Sequence, residues 1–373
     1  MKILTFSNCP LEESQGSGYV ILNYARGLRA RGHEVTLLGP ESFEPFRGLR
    51  FAKSHRQAFG MFGVGLYRIL RERYDVIEFY GGSSCIAARF FSCWPRRQFL
   101  LVSHSNGLET HYNERNREYA EKGSFDGVPL RFHQRILRLP MEWAFRHADA
   151  LVTVSDNDAA YARRAQYQDE AHILSLENPL PDSFLGQSVD FNRNPRVGFC
   201  GAWLPNKGIK AMRTAMPRVL AKFPPATFTL IGVGSGFRVE DLFPSEFQSR
   251  IEIIPFTRDK LELQRIYRSL SIMILPSIYE SFGMAATEAM ASGCALVGTN
   301  TGFTASLRHL EEAFLMDNPD AASLELGVSA LLADDGLRRR LATRGYERVQ
   351  KLRWDTAIER LEKAYKGWLS EIR

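Results

Sequence analysis

Two carboxylates eight residues apart, Glu280 and Glu288, mark the stretch of the sequence with the clearest capacity for chemistry. Glu288 lies in a run of Ala, Met and Thr with strong helix character, where an ionised carboxylate is costly to bury unless a polar group meets it. If the stretch is helical, a rise of about 1.5 Å per residue separates the two side chains by roughly 12 Å. One small group cannot bind both at that distance, so the spacing predicts a long ligand.

The residues around these carboxylates predict where such a ligand would lie. The apolar run Ile272–Leu275 is typical of a strand, and after a loop Gly283 opens the predicted helix. A strand, a loop and a helix in this order direct free backbone N–H groups and a positive dipole end at an anion. A nucleotide sugar fits, with its diphosphate over Phe282–Met284, its sugar hydroxyls at Glu280 and its ribose hydroxyls at Glu288. A buried helix with one capping Glu and one Glu at its solvent edge would explain the same residues.

The segment from Glu280 to Glu288 resembles the E-x7-E element of the retaining GT-B glycosyltransferases, specifically the large family 4 group, glycosyl transferases group 1. Other pieces of the family pattern follow in the right order along nearly the whole chain. The resemblance implies that a sugar is moved from a nucleoside diphosphate sugar to a hydroxyl acceptor, with retained configuration and without a metal ion or other cofactor. UDP is favoured over GDP in the donor. The product would belong to a glycan, a lipopolysaccharide, a glycolipid or a glycosylated metabolite.

Lys207 lies in the loop Gly201–Gly208, after the first predicted strand of the second half, and resembles the lysine of the family's basic loop. The resemblance implies that this lysine binds the diphosphate and stabilises the negative charge of the departing phosphate. The family commonly has an Arg directly after the first glycine, where this chain has Ala202. One cation of the expected clamp is therefore missing. A surface lysine before a turn glycine is the alternative interpretation of Lys207.

His104 follows the apolar run Phe99–Val102 at the carboxyl end of a predicted central strand, where open α/β sheets bind ligands. It matches the family histidine that contacts the donor sugar from the opposite domain, so the resemblance implies a catalytic role. A lone histidine is, however, usually structural or merely exposed. His111, seven residues further on, is the competing candidate.

Two glycine-rich turns are candidates for backbone contacts with a nucleotide sugar. Gly16, Ser17 and Gly18 come between the first strand and the first helix, where an α/β sheet exposes N–H groups, although a plain glycine turn explains them as well. Gly234 is the centre of Gly232–Gly236, which resembles the family's turn beside the nucleotide. A dinucleotide loop for NAD is the alternative there, but the spacing is not G-x-G-x-x-G.

The composition is that of an ordinary globular protein, with 373 residues of which 45% are apolar and 24% charged, and this length predicts two domains with a core each. A net charge of +6 admits nucleic acid, an anionic membrane surface or an anionic substrate as a partner. No nucleic-acid motif is present and basic residues occur in both halves, which argues against nucleic acid. The five cysteines lack metal-ligand or redox spacing and are interpreted as reduced thiols of a cytoplasmic protein.

Short apolar strands alternate with amphipathic helices, which is typical of parallel sheets wrapped by helices. The polar stretch 186–195 interrupts this pattern, so the sequence predicts an α/β protein with two Rossmann-like domains, 1–185 and 196–354, joined by this linker and facing a central cleft. GT-B proteins suggest that the last helix, within 355–373, crosses back to the N-terminal domain. The predicted strands are Ile3–Phe6, Glu34–Leu38, Val76–Phe79, Phe99–Val102, Ala150–Val154, His172–Leu176, Arg196–Cys200, Thr227–Ile231, Ile251–Ile254, Ile272–Leu275 and Ala295–Gly298.

The segment 131–146 mixes Arg with Phe, Ile, Leu and Trp, as an interfacial helix does. A solvated Arg face over a core-facing apolar stripe explains the same pattern and is preferred. Phe90, Phe91 and Trp94 also lie near arginines and leave peripheral membrane contact open. No stretch is long enough to span a bilayer and the N-terminal apolar run is too short for a signal peptide. The expected location is the cytoplasm, with contact at the inner face of the membrane as a possibility.

Two other functions agree with the same residues. A nucleotide-sugar epimerase of the same fold would release its product without an acceptor. A non-catalytic sugar-nucleotide sensor or scaffold would keep the pocket without turnover, and Ala202 favours this alternative because a cation is missing. Consumption of the donor without an acceptor, only with an acceptor, or never would separate the three.

Overall fold

The chain forms short buried strands that alternate with helices. The computed structural model describes residues 1–13, 16–49, 52–123, 125, 140–234 and 236–372. The strands are β1 Lys2–Phe6, β2 Glu34–Leu38, β3 Val76–Tyr80, β4 Leu100–His104, β5 Ala150–Thr153, β6 Ile173–Ser175, β7 Arg196–Cys200, β8 Thr227–Ile231, β9 Ile251–Ile254, β10 Ile272–Leu275, β11 Ala295–Thr299 and β12 Phe314–Met316.

The helices cover both faces of the sheets. In the described part of the chain they are α1 Gly16–Ala30, α2 Pro40–Phe43, α3 Lys53–Arg71, α4 Cys85–Ser92, α5 Glu109–Glu121, α6 Glu142–Arg146, α7 Asp156–Arg164, α8 Ile209–Lys222, α9 Ser245–Gln248, α10 Lys260–Ser269, α11 Met284–Ala291, α12 Ala321–Ala333, α13 Asp335–Val349 and α14 Trp354–Ile372. Among these helices none is both long enough and apolar enough to cross a membrane.

The strands form two six-stranded sheets, in the orders β2-β1-β3-β4-β5-β6 and β12-β11-β10-β7-β8-β9. All neighbouring strands are parallel, so the predicted α/β architecture with two parallel sheets is confirmed. Each predicted strand is present, and no strand end is shifted by more than two residues. The sequence does not predict β12, because three residues are too few to show a period.

The described residues fall into two compact units. The first unit comprises those within Met1–Tyr112, Pro129–Pro179 and Arg353–Arg373, and the second comprises those within Asn113–Val128 and Leu180–Leu352. The chain therefore enters the second unit at Leu180, before the polar stretch that the sequence suggests as a linker. Part of α5 also belongs to the second unit.

The polar stretch 186–195 is fixed to the second unit by Arg193. Its guanidinium donates hydrogen bonds to the backbone carbonyls of Leu270, at 2.8 Å, and Ser292. Burial lowers the pKa of Arg193, and these carbonyls compensate part of the desolvation of its charge. Tyr346 also donates to the carbonyl of Gln187 across 2.7 Å. Arg193 thus binds backbone groups of the second unit, and composition alone cannot distinguish that role from a solvated linker.

The C-terminal helix α14 completes the core of the first unit. Leu361 and Tyr365 are fully buried in the cluster formed by α1 and one face of the first sheet. A Cβ atom at Gly27 of α1 would lie 1.9 Å from Cδ1 of Ile358, so glycine is what lets the two helices approach this closely. The apolar period of the last helix is therefore used inside the first unit.

Leu361→Ala should lower the free energy of unfolding of the first unit by about 2–5 kcal/mol, because removing a fully buried Leu side chain leaves a cavity. Lys363→Ala, on the exposed face of the same helix, should change it by less than about 0.5 kcal/mol. Scanning calorimetry of the two variants measures the difference. Equal unfolding temperatures would contradict the packing of α14 described above.

Candidate functional site

The topology of the second sheet brings two loops together. Strands β7 and β10 are neighbours at its centre, and the chain continues outward from them in opposite directions, to β8 and β9 on one side and to β11 and β12 on the other. Open α/β sheets bind ligands at the carboxyl ends of strands where the order reverses in this way. The loop after β7 carries Lys207 and the loop after β10 carries Glu280, so the two predicted residues meet at this edge.

Lys207 and Glu280 form an ion pair. The ammonium Nζ of Lys207 lies 2.6 Å from Oε1 of Glu280, and the hydroxyl of Ser277 donates to the same oxygen across 2.7 Å. The backbone N–H of Glu280 donates to Oγ1 of Thr301 at 3.1 Å. Glu280 is almost fully buried, whereas about a quarter of the Lys207 side chain is exposed. The lysine is therefore the member of the pair that an incoming anion can reach.

A glycine contact sets the distance between these loops. Gly208 has a φ of +74°, and a Cβ atom there would lie 1.9 Å from the carbonyl oxygen of Pro276. The N–H of Ile278 donates to the carbonyl of Asn206 across 2.8 Å, which ties the same two loops together. Because a side chain at Gly208 would push them apart, glycine at this position is required for the Lys207–Glu280 pair.

The helix start between the two carboxylates has the predicted form. Gly283 is the N-cap of α11, with φ 100° and ψ 55°, and no described side chain caps it. Met284 begins the helix, so its first turn directs backbone N–H groups at the carboxyl edge of β10. Phe282 is buried with its ring centroid 5.4 Å from that of Phe303. Phe282 can therefore contribute its backbone to a ligand, while its ring belongs to the core.

Glu288 is buried in α11 and paired with a residue that sequence analysis missed. Its Oε1 lies 2.7 Å from Nζ of Lys260, in the first turn of α10. Burial raises the pKa of Glu288, and the charge of Lys260 together with its hydrogen bond opposes that rise. The lysine side chain is about one-third exposed while the carboxylate is not. No motif marks Lys260, and only its place after the N-cap residue Asp259 is visible in the sequence.

His104 is held in a buried polar cluster of the first unit. Its Nε2 lies 2.6 Å from the hydroxyl of Tyr365 and 3.4 Å from Oε2 of Glu78, and its ring stacks on that of Tyr80 with centroids 4.4 Å apart. Tyr365 also donates to Glu78. Burial alone would raise the pKa of Glu78, but hydrogen bonds from His104, Thr5 and Tyr365 bring it below its usual value. The structure thus gives His104 a carboxylate and a tyrosine as partners.

The competing histidine, His111, has a different buried partner. Its Nδ1 lies 2.7 Å from Oδ1 of Asp158 and its ring stacks on Tyr161, with centroids 4.4 Å apart. These contacts explain His111 as a residue that joins α5 to α7. His104 is also held by a buried carboxylate, so the preference for His104 rests on the family resemblance alone.

The two glycine turns lie at the start of α1 and in the loop after β8. Gly16, Ser17 and Gly18 form the first turn of α1, and a Cβ atom at Gly18 would lie 2.4 Å from the carbonyl oxygen of Pro10. Gly234 has a φ of +104° in the loop after β8. The first turn belongs to the first unit and the second to the second unit. Among the described residues no group of His, Cys, Asp or Glu side chains is placed to hold a metal ion.

Two family models together match most of this chain. The family model described as Glycosyltransferase Family 4 matches residues 14–175, and the one described as Glycosyl transferases group 1 matches residues 194–334. Phosphatidyl-myo-inositol mannosyltransferase of Mycobacterium leprae is 27% identical over 369 residues, which cover 92% of this chain and 91% of that protein.

Two solved structures share the fold over nearly their whole length. Sucrose-phosphate synthase of Thermosynechococcus elongatus superimposes with a TM-score of 0.76 at 17% identity, covering 100% of both chains. HepE of Anabaena, solved in complex with UDP-glucose, superimposes with a TM-score of 0.66 at 16% identity, covering 98% of this chain and 100% of that one. At these identities the two likenesses concern the fold alone.

Gly208→Ala should destabilise the second unit by about 2–5 kcal/mol. A left-handed backbone costs a residue with a Cβ atom roughly 1–2 kcal/mol, and the clash with Pro276 adds about 1–3 kcal/mol. Gly236→Ala, where a Cβ atom meets nothing within 4 Å, should leave stability nearly unchanged. Denaturant titration of both variants tests the contact, and equal midpoints would contradict it.

Proposed function

We propose that this chain, which belongs to the family 4 glycosyltransferases of the group 1 type and has their GT-B fold, transfers a hexose from a nucleoside diphosphate sugar to a hydroxyl group. The observation that carries the proposal is the Lys207–Glu280 pair at the carboxyl edge of β7 and β10. An exposed ammonium and a buried carboxylate beside the start of α11 suit a donor with a diphosphate at one point and sugar hydroxyls next to it.

The proposed reaction needs charge stabilisation at the leaving group. The bond between the anomeric carbon and the diphosphate oxygen breaks, and the acceptor oxygen bonds to the same face of that carbon. The acceptor's proton passes to the leaving phosphate oxygen, so no side chain has to act as the base. Lys207 and the backbone N–H groups of Phe282–Met284 stabilise the departing charge. When the ammonium turns to the phosphate, Glu280 is released to accept hydrogen bonds from the sugar.

Glu288 is proposed to bind the ribose of the donor. A carboxylate has about four acceptor sites, so it can keep the hydrogen bond from Lys260 and still accept from two ribose hydroxyls. Lys260 favours the ionised form against the effect of burial.

The donor and the acceptor are proposed from the relatives. The HepE complex contains UDP-glucose, which supports UDP over GDP in the donor. The name of the Mycobacterium leprae relative specifies mannosyl transfer to phosphatidyl-myo-inositol, which supports a hexose and a lipid or polyol acceptor in glycan or glycolipid synthesis. A lipid acceptor would require peripheral contact with the inner face of a membrane. The predicted contact segment, 131–146, lies outside the described residues from 131 to 139.

Ala202 stands where the family places an arginine, and Arg115 is proposed as the replacing cation. Arg115 lies in the part of α5 that belongs to the second unit, and its Nε is 3.5 Å from the carbonyl of Ile278 in the loop after β10. Its side chain is about one-quarter exposed, and its guanidinium also pairs with Glu118, 2.9 Å away. The loss of the usual arginine therefore does not by itself argue for a non-catalytic protein.

The other predicted site residues keep the roles that the resemblance implies. We propose that His104 contacts the donor sugar through its ring and that Gly16, Ser17 and Gly18 offer backbone groups to the ligand. The turn around Gly234 is proposed to lie beside the nucleotide. Retention of configuration and independence of metal ions are proposed on the same resemblance.

Donor consumption tests the function directly. The protein is incubated with UDP- and GDP-hexoses, alone and with phosphatidylinositol, free inositol and simple glycosides, and the released nucleotide and the products are quantified. Release that requires an acceptor, with a new glycoside formed, supports transfer. An isomerised sugar without an acceptor would identify an epimerase. Donor binding without consumption in any mixture would identify a sensor or scaffold.

Lys207→Ala should lower transfer turnover by about 100-fold, comparable to the loss of one oxyanion-hole donor. Lys207→Arg keeps the positive charge and should retain more activity. Lys210→Ala removes the same charge three residues further on, where the ammonium binds the carbonyl of Gly123, and should leave turnover close to the wild-type value. Steady-state kinetics with a saturating donor measures all three. Equal turnover of Lys207→Ala and Lys210→Ala would remove Lys207 from the mechanism.

Lys260→Met should shift the pH dependence of nucleotide binding. Burial raises the pKa of Glu288 and Lys260 opposes that rise, so removing the cation raises the pKa further. As pH falls, Lys260→Met should therefore lose UDP affinity at a higher pH than the wild type, whereas Lys260→Arg should follow the wild type. Glu288→Gln should bind weakly at every pH. Calorimetric titration of UDP between about pH 5 and pH 8 measures these profiles, and superimposable wild-type and Lys260→Met curves would sink the proposed role.

A further inference from the structure

The outward face of α3 in the first unit is apolar. Phe59, Phe62, Leu66 and Leu70 follow one another at intervals of three or four residues, which places them on one side of the helix. Phe59 is 61% exposed and Leu70 is 68% exposed. The opposite side of α3 packs into the first unit through other buried residues. Phe62 and Leu66 are half-buried against the core of the first unit, whereas Phe59 and Leu70 project from the helix. A surface helix of a globular protein normally has polar residues on its outer side, so the exposure of Phe59 and Leu70 is unusual.

The apolar face of α3 continues onto the neighbouring helix. The ring of Phe90 in α4 lies 5.0 Å from that of Phe62, and Phe90 is 59% exposed. Tyr67, also exposed, lies next to Leu66 and is covered by the guanidinium of Arg71 at 4.5 Å. We call this surface the α3–α4 face; it consists of Phe59, Phe62, Leu66, Tyr67, Leu70 and Phe90. Exposed apolar side chains that are grouped in this way are typical of a binding surface, whereas single exposed Leu residues are common on any protein.

Positive charge is concentrated in the same segment. Residues 45–71 contain five Arg and one Lys but neither Asp nor Glu, so this stretch alone carries a formal charge of +6. The whole chain also carries +6, and its remaining residues are therefore balanced in sign. The basic residues are Arg47, Arg50, Lys53, Arg56, Arg68 and Arg71, of which Arg50 lies outside the described residues. Two of them pair with carboxylates just outside the segment.

We propose that the α3–α4 face lies on an anionic lipid bilayer. Aromatic and Leu side chains on one side of a helix, with arginines at its ends and flanks, are the composition of an interfacial helix. Anionic headgroups attract a polybasic segment without requiring shape complementarity, and acyl chains accept the apolar side chains. Nucleic acid would meet the charge but not the exposed rings.

This inference rests on the lipid acceptor proposed above and names the surface that would bring the enzyme to it. The α3–α4 face is a different surface from the segment 131–146 suggested by the sequence, and both of its helices lie within the described residues. Membrane docking and sugar transfer can be tested separately, since vesicle binding is measured without a donor.

The test is flotation of the full chain with vesicles of phosphatidylcholine alone or with 30% phosphatidylglycerol. Binding should occur with the anionic vesicles and fall at least tenfold on neutral vesicles or in 0.5 M salt. Leu70→Ser should lower partitioning about tenfold. Leu326→Ser is the matched control, because Leu326 is 65% exposed on α12 of the second unit, and it should bind like the wild type.

A charge variant completes the design. Arg47→Glu with Lys53→Glu should abolish binding, whereas Arg339→Glu with Arg340→Glu, on the exposed side of α13, should preserve it. Equal binding of Leu70→Ser and Leu326→Ser would overturn the proposal, as would binding that ignores lipid charge or no binding at all. Concentration-dependent dimerisation that Leu70→Ser abolishes would assign the face to a second copy instead. Calorimetric titration of UDP on the same preparations keeps a failed docking surface distinct from a failed transferase.

Discussion

A carboxylate that leaves water must meet a cation or several hydrogen-bond donors, and this constraint organises the site of the second unit. Glu280 and Glu288 are both nearly buried, and each has a lysine at hydrogen-bond distance, Lys207 and Lys260 respectively. In both pairs the lysine is the more exposed member. The charges are therefore neutralised within the protein while the ammonium groups stay within reach of solvent.

The pairs also explain how the two carboxylates can stay buried before a ligand binds. Removing the partner of a buried carboxylate costs several kcal/mol, whereas exchanging one partner for another costs much less. In the proposed reaction, a diphosphate that takes the ammonium of Lys207 would leave Glu280 with the hydroxyl of Ser277 and free part of its capacity for sugar hydroxyls. The glycine at 208 keeps the two loops close enough for this exchange. The backbone of the two loops is thus held in place, whereas the partner of the Lys207 ammonium can change.

The sequence predicts the parts of this arrangement that are local. The strand before Gly283 and the helix that carries Glu288 are visible because a β-type run, a glycine and an Ala-rich stretch follow one another within 20 residues. Lys260 is not visible, because its pairing with Glu288 spans 28 residues and depends on how α10 packs against α11. The pairing of His104 with Tyr365 is not visible for the same reason, because 261 residues separate the two partners. Periodicity locates elements, but the identity of a buried ion's partner is a tertiary fact.

The first unit also contains a buried carboxylate, Glu78, but there the partners of the carboxylate are buried as well. Glu78 lies in the middle of β3 and is satisfied by Thr5, His104 and Tyr365, so its charge is sealed by α14 rather than left within reach of solvent. Nε2 of His104 faces this cluster, so the ring is held by a carboxylate and a tyrosine. Histidines that bind ligands are commonly oriented by such a partner. The C-terminal helix therefore does more than fill the core, since its tyrosine fixes the orientation of the histidine that the resemblance assigns to the donor sugar.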